Sequence, residues 1–188
     1  MLTLQQILDE SKTIMAIKDE YDNSTLIMWL NNINNDFFNV VKIPKVFRFM
    51  TSLNVAEYNM PSDMRLKNID LVNVGYLHYR SLDEDDIRPL QNYYTYDDIS
   101  RKMSLNPAPY ENAQGVVRYR RIATTTFTSG NMNTSPDAPE EYQWTYVPAL
   151  CCYIALAMDD AIRATNFENQ YKSAWNAAAA DYQGGTQT

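Results

Sequence analysis

The chain has 188 residues and a mass of 21.7 kDa, the size of one domain. Hydrophobic residues make up 45% and aromatics 12%, with 14 Tyr, which excludes disorder for most of its length. A net charge of −7, from 23 acidic and 16 basic side chains, disfavours tight binding to a phosphate backbone but not a channel that DNA slides past.

Residues 3–18 read as a helix, with Thr3 as its cap and Gln6 completing a capping box. Leu4, Ile7, Leu8, Ile14 and Met15 form its apolar stripe. Turn formers occupy 19–23. A second helix is predicted over 24–41, where Leu26, Leu30, Ile33, Phe37 and Val40 follow the helical period. Trp29 and the asparagines 31, 32, 34 and 35 fall on its other faces, and Pro44 ends the element. Residues 45–59 fit short strands or an extended hairpin turning near 51–54. After the break at 60–63, a strand is predicted over 69–79.

An acidic break at 81–86 precedes a short helix predicted over 96–103, capped by Thr95 with Asp97 and Asp98 in its first turn. A loop at 106–109 leads to a strand over 115–127, which includes the β-prone run Thr124-Thr125-Thr126-Phe127, and a turn at 129–133. Residues 135–141 signal a helix start. A short helix should run to Thr145, with a kink or restart at Pro148. Beyond it Leu150, Cys151, Ile154, Ala155, Met158, Ala161, Ile162 and Thr165 form a wide apolar face. The last helix, 168–182, carries Tyr171, Ala174, Trp175, Ala178 and Tyr182 at helical spacing, and Gly184 and Gly185 stop it.

These elements predict a mainly α chain with a β-rich insertion (α+β). The expected architecture is a four-helix bundle-like core with a protruding β-hairpin or loop arm. One domain is expected: a helical core at 1–44 and 136–183, an insertion at 45–135 and a polar tail at 184–188. No apolar run reaches the length of a membrane span, and no basic segment precedes an apolar one at the start, so no signal peptide is expected. The adjacent Cys151 and Cys152 read as reduced, small hydrophobes.

Signals for chemistry are weak. His78 is the one histidine and sits in a predicted strand. No phosphate-cradling glycine motif or nucleophile elbow occurs. The acidic clusters Asp83-Glu84-Asp85-Asp86, Asp97-Asp98, Glu140-Glu141 and Asp159-Asp160 lack metal-ligand spacing. A small metal-dependent hydrolase using Asp159, Asp160 and an acidic loop is the alternative reading, and a DNA-gripping packaging subunit a third. No catalytic residue, metal or cofactor is expected. Alternation places Arg118 and Arg120 on one strand face and Tyr119 and Arg121 on the other. On an acidic protein these arginines suit salt bridges, within the chain or across a subunit interface, better than nucleic acid. Abundant Tyr and Trp suit protein interfaces.

Four stretches carry a resemblance. They are the opening Thr3-Leu4-Gln5-Gln6-Ile7-Leu8, the helix Leu26-Ile27-Met28-Trp29-Leu30-Asn31-Asn32-Ile33-Asn34-Asn35-Asp36-Phe37, and the step Tyr58-Asn59-Met60-Pro61-Ser62-Asp63-Met64. The fourth is the closing helical pair that starts at Pro139-Glu140-Glu141-Tyr142. Their order resembles the head-to-tail connector (adaptor) proteins of tailed bacteriophages, including the tail tubular type, while 83–135 matches nothing in that pattern. The resemblance implies a non-enzymatic virion protein at the neck, made in the host cytoplasm and not in a membrane. It implies a ring of twelve copies that joins the portal to a downstream tail or nozzle protein, with DNA passing through without sequence-specific binding. On that footing an arm at 115–133 and the Tyr-rich loop are expected to make inter-subunit contacts through Tyr93, Tyr94, Tyr96, Arg118, Arg120, Arg121 and Phe127. Gln183, Gly184, Gly185, Thr186, Gln187 and Thr188 are expected to form a portal-docking tail.

Overall fold

The computed structural model describes residues 1–17, 20–82 and 92–184. Lys18, Asp19, the acidic run Asp83-Glu84-Asp85-Asp86 and tail residues 185–188 lie outside them. The chain divides into two compact units, Met1–Lys42 with Ala123–Thr188, and Ile43–Ile122.

The first unit holds α1 (Leu4–Met15), α2 (Asn23–Val41), α3 (Tyr146–Ala157) and α4 (Ala161–Gly184). The capping box of α1 is formed: the Gln6 N–H donates to Thr3 Oγ1 at 3.3 Å and the Thr3 N–H to Gln6 Oε1 at 2.9 Å. The buried stripe runs Leu4, Ile7, Leu8, Ser11 and Met15, while Ile14 is 47% exposed. Ser11 takes the inward position and donates to the Val147 carbonyl. Asp22 caps α2, accepting from the Thr25 N–H at 2.8 Å. That helix stops at Lys42, whose φ of 54° is left-handed, two residues before Pro44.

Every residue of α3 from Tyr146 to Cys152 is buried, as are Ile154 and Ala155. A helix apolar around its circumference belongs inside other helices, and α3 packs on α1, α2 and α4. A 3-10 turn, Glu140–Thr145, runs directly into it. Pro148 is the third residue of α3, where its missing N–H forfeits no helical bond, so the restart comes before the proline. Asp159, at φ 60°, breaks the chain between α3 and α4. Asp160 then caps α4, its Oδ1 accepting from the Arg163 N–H at 3.0 Å, so the last helix starts at Ala161 and not at Glu168.

The second unit holds β1 (Pro44–Met50), β2 (Glu57–Asn59), β3 (Ile69–Val74), β4 (Leu77–Ser81), β5 (Tyr93–Asp97), β6 (Lys102–Asn106) and β7 (Gln114–Arg120). They form one curled sheet in the order β1-β7-β3-β4-β5-β6-β2. All neighbours are antiparallel except β4 and β5. Its core gathers Met60, Met64, Val72, Val74, Tyr79, Tyr94, Tyr96, Met103, Leu105, Val117 and Tyr119. Each large apolar side chain so buried contributes about 1.5–3 kcal/mol.

This architecture corrects the expected fold class. Among the described residues 44% are helical and 22% strand, with a seven-stranded sheet in place of a bundle with an arm. Four striped helices around one axis would make a bundle, but here one helix is buried by the other three. The expected arm is not a projection either, because β7 lies between β1 and β3 and bonds to both. The helix expected over 96–103 is the β5–β6 hairpin. There Tyr94, Tyr96, Met103 and Leu105 alternate inward with period 2, and Asp97 accepts from the Ile99 N–H at 2.9 Å to make the turn. The strand expected over 69–79 is divided by a two-residue turn at Gly75 and Tyr76.

Candidate assembly surface

Register fixes which side chains share the outer face of the sheet, since directly paired residues point the same way and successive residues alternate. Arg118 pairs with Val46 on one side and Leu71 on the other; Val116 joins Arg48 to Asn73, which pairs with His78. Alternation adds Arg120 and Arg80. This face, opposite the buried core, therefore carries Arg48, Arg80, Arg118 and Arg120. The Arg120 Nε–H donates to Asp70 Oδ2 at 3.0 Å, and Asp70 sits at the bulge between Ile69 and Leu71. Arg48, Arg80 and Arg118 are exposed and form no ion pair among the described residues. His78 Nδ1 lies 3.0 Å from Asn73 Oδ1.

The other expected contacts have different surroundings. Tyr93 is half-buried and pairs with Arg80. Tyr94 and Tyr96 are buried in the core, and the Tyr96 hydroxyl donates to the Met64 carbonyl at 3.3 Å. Burial raises both phenols. Tyr119 donates to Asp63 Oδ1 at 2.8 Å, and the Lys45 ammonium holds Asp63 Oδ2 at 2.7 Å. Burial first, and then the Asp63 carboxylate, push the Tyr119 phenol strongly up, while Arg121 opposes them. Phe127 is 1% exposed and belongs to the first unit. Gln183 and Gly184 lie in the last turn of α4.

The 123–127 segment shows what sequence reasoning missed. It is not a continuation of β7, because side chains bind its backbone where a strand would. Asn31 donates to the Phe127 carbonyl at 3.1 Å and accepts from its N–H at 2.7 Å. Asn34 donates to the Thr125 carbonyl at 3.1 Å and accepts from the Tyr146 hydroxyl at 2.6 Å. Asp137 accepts from the Thr124 and Thr125 N–H groups at 2.9 and 2.7 Å and from both threonine hydroxyls. Burial alone would raise the Asp137 carboxyl, but the hydrogen bonds from Thr125, Thr124 and Asn34 outweigh it and hold it below its usual value. The signal was available in the three-residue spacing of Asn31 and Asn34, which puts both on one helix face beside the apolar stripe.

A groove of about 630 Å³ opens in the helical unit, with Val40, Tyr153, Leu156 and Trp175 among its walls and Asp36, Glu168 and Lys172 around them. Glu168 and Lys172 form an ion pair. No three His, Cys, Asp or Glu side chains converge on a possible metal position among the described residues. Asp97 and Asp160 are occupied as turn and cap acceptors, and Asp98 accepts from the Leu66 N–H. Cys151 and Cys152 are free and buried, and burial pushes the Cys151 thiol up to about 11. Such a thiol is a poor nucleophile.

Charge divides with the fold. The helical unit has thirteen acidic and five basic residues, the sheet unit ten and eleven. The family model described as SU10 adaptor protein matches residues 2–188. The chain belongs to this family. SU10 adaptors are phage head-tail adaptors, so the protein is a phage structural adaptor. As an adaptor it oligomerises and interacts with other head and tail proteins of the virion. No curated protein matches the adaptor sequence. Among its described residues, no helix is long and apolar enough to cross a membrane.

Proposed function

We propose that the adaptor forms a ring, twelve copies in number, that joins the capsid portal to a downstream tail or nozzle protein and continues the DNA channel. The family match over 2–188 carries this reading. The net charge of −7 supports it, since a negative wall lets DNA slide instead of adhering. A closed ring requires two different patches on each subunit. Of the residues expected at copy–copy contacts, Arg118 is exposed and Tyr93, Arg120 and Arg121 are partly so, and these we place at the interface. Tyr94, Tyr96 and Phe127 support it from the interior by holding β5 and the 123–127 segment in place. The polar end of the chain, from Gln183 to Thr188, docks into the portal.

Native mass spectrometry of the adaptor, alone and mixed with portal protein, tests the ring. A multi-copy complex on the portal is expected; a monomer indifferent to portal would sink the proposal. Deleting residues 184–188 should leave the melting temperature unchanged and abolish joining to the portal. Undiminished joining would refute the tail assignment.

A further inference from the structure

We propose that the arginine-bearing outer face of the sheet docks the acidic helical unit of a second copy of this chain. The inference rests on the ring reading and names the surface that closes it. Arg48, Arg80 and Arg118 stand on β1, β4 and β7, within four adjacent strands spaced about 4.8 Å apart. Arg118 lies one strand from Arg48 and two from Arg80, so each neighbouring pair stands within about a Debye length and its charges reinforce one another. Among the described residues Asp70 forms an ion pair with Arg120 and with none of these three. The three positive charges repel one another in the free subunit. A partner carboxylate removes that repulsion on docking. Val46, 44% exposed, and half-buried Leu71 flank Arg118 and give its aliphatic stem an apolar bed. Arginine over apolar ground is the composition of interface hot spots.

The occupant follows from charge. The helical unit carries thirteen acidic residues against five basic, so every copy brings the complement of its neighbour's sheet face. Patches of opposite sign on one chain cannot each pair with themselves. They pair with each other, and in the ring that pairing is the heterologous contact between successive copies. A phosphate backbone is the disfavoured occupant, because any DNA reaching the arginines also meets the −7 of the whole chain.

The test uses the full chain on portal protein. Arg48→Glu with Arg118→Glu should lower copy–copy affinity by about tenfold or more, Arg→Gln should lower it less, and added salt should weaken the wild type. Both side chains are exposed, so the variants should melt with the wild type, which separates lost docking from lost folding. Arg48→Lys with Arg118→Lys keeps the charge and supplies amines for zero-length carbodiimide cross-linking between isotope-labelled and unlabelled copies. Inter-copy cross-links from positions 48 or 118 to carboxylates within 1–42 or 123–188 are expected. A wild type that assembles while the Glu variant assembles equally well overturns the inference and leaves the ring standing. Cross-links to the portal alone overturn it likewise, as does loss of duplex-DNA retardation in a Glu variant whose assembly is intact. A wild type that never assembles removes the ring reading and this inference together.

Discussion

Asp137 organises more backbone than any other single carboxylate described in the helical unit. It gathers two N–H groups and two hydroxyls from Thr124 and Thr125, and the Asn34 amide at 3.2 Å. Hydrogen bonds to an ionised group contribute about 1.5–3 kcal/mol each when the partner would otherwise be stranded. Asp137→Asn keeps the shape but removes the charge and turns one acceptor into a donor facing donors. It should destabilise the fold by about 2 kcal/mol near neutral pH. The pH dependence has a definite sign. The folded carboxyl titrates below its ordinary 3.8, so its contribution is present above that pH and is lost as pH falls through the lower folded value. Urea denaturation of both proteins at pH 7 and again well below pH 3.8 should show the gap closing in acid. A gap independent of pH would mean that packing, not charge, explains the loss. In the sequence this residue is one polar letter inside a helix-start signal, between Pro136 and Pro139. Its partners lie 12 to 103 residues away, beyond the reach of any local pattern.

At the scale of elements, what was legible is what neighbours in sequence decide. The capping box at Thr3 and Gln6, the stripe of α2 from Leu26 to Phe37 and the turn at 129–133 depend on residues a few positions apart, whereas Val40, expected on that stripe, is 40% exposed and Val41 is buried in its place. The sequence predicts a helix where the β5–β6 hairpin forms because Asp97 and Asp98 mimic a first-turn acid pair. The period-2 burial that decides it appears only once both strands face the core. Parity alone put Arg118 and Arg120 on one face. Arg48 and Arg80 joined them only through the registers of β1, β7, β3 and β4, which no sequence window contains. The β3–β4 turn lies inside an otherwise β-prone run, and its hinge is Gly75, at φ 56°. A Cβ there would meet only Ala113 at 3.6 Å, so the obstacle to substitution is backbone strain and not crowding. Gly75→Ala should therefore cost about 1–2 kcal/mol through the left-handed conformation alone. Thermal melting checks this; an unchanged melting temperature would show that the turn relaxes to another type.

On the scale of the whole molecule, the two units differ in kind as well as in charge. The helical unit is discontinuous in sequence and needs both termini, whereas Ile43–Ile122 is one continuous stretch with its own buried core. Its two ends meet: the Arg121 N–H donates to the Ile43 carbonyl at 3.0 Å, next to the Pro44–Arg120 pair. The insertion was legible as a β-rich middle, but its closure was not, because β1 and β7 are joined across some seventy residues by pairing that only the finished sheet creates. A stretch with joined ends and a private core has the anatomy of a unit that folds alone. At about 80 residues it is large enough to do so, with a stability of several kcal/mol. Residues 43–122 expressed by themselves should therefore melt cooperatively, and the Tyr119 and Asp63 pair should keep its hydroxyl proton protected from exchange. Dispersed amide resonances with slow exchange along β7 and β3 are the expected observation. A broad, non-cooperative melt with collapsed resonances would show that the sheet borrows its stability from the helices. The charge division would then be a property of one indivisible fold and not of two folded parts.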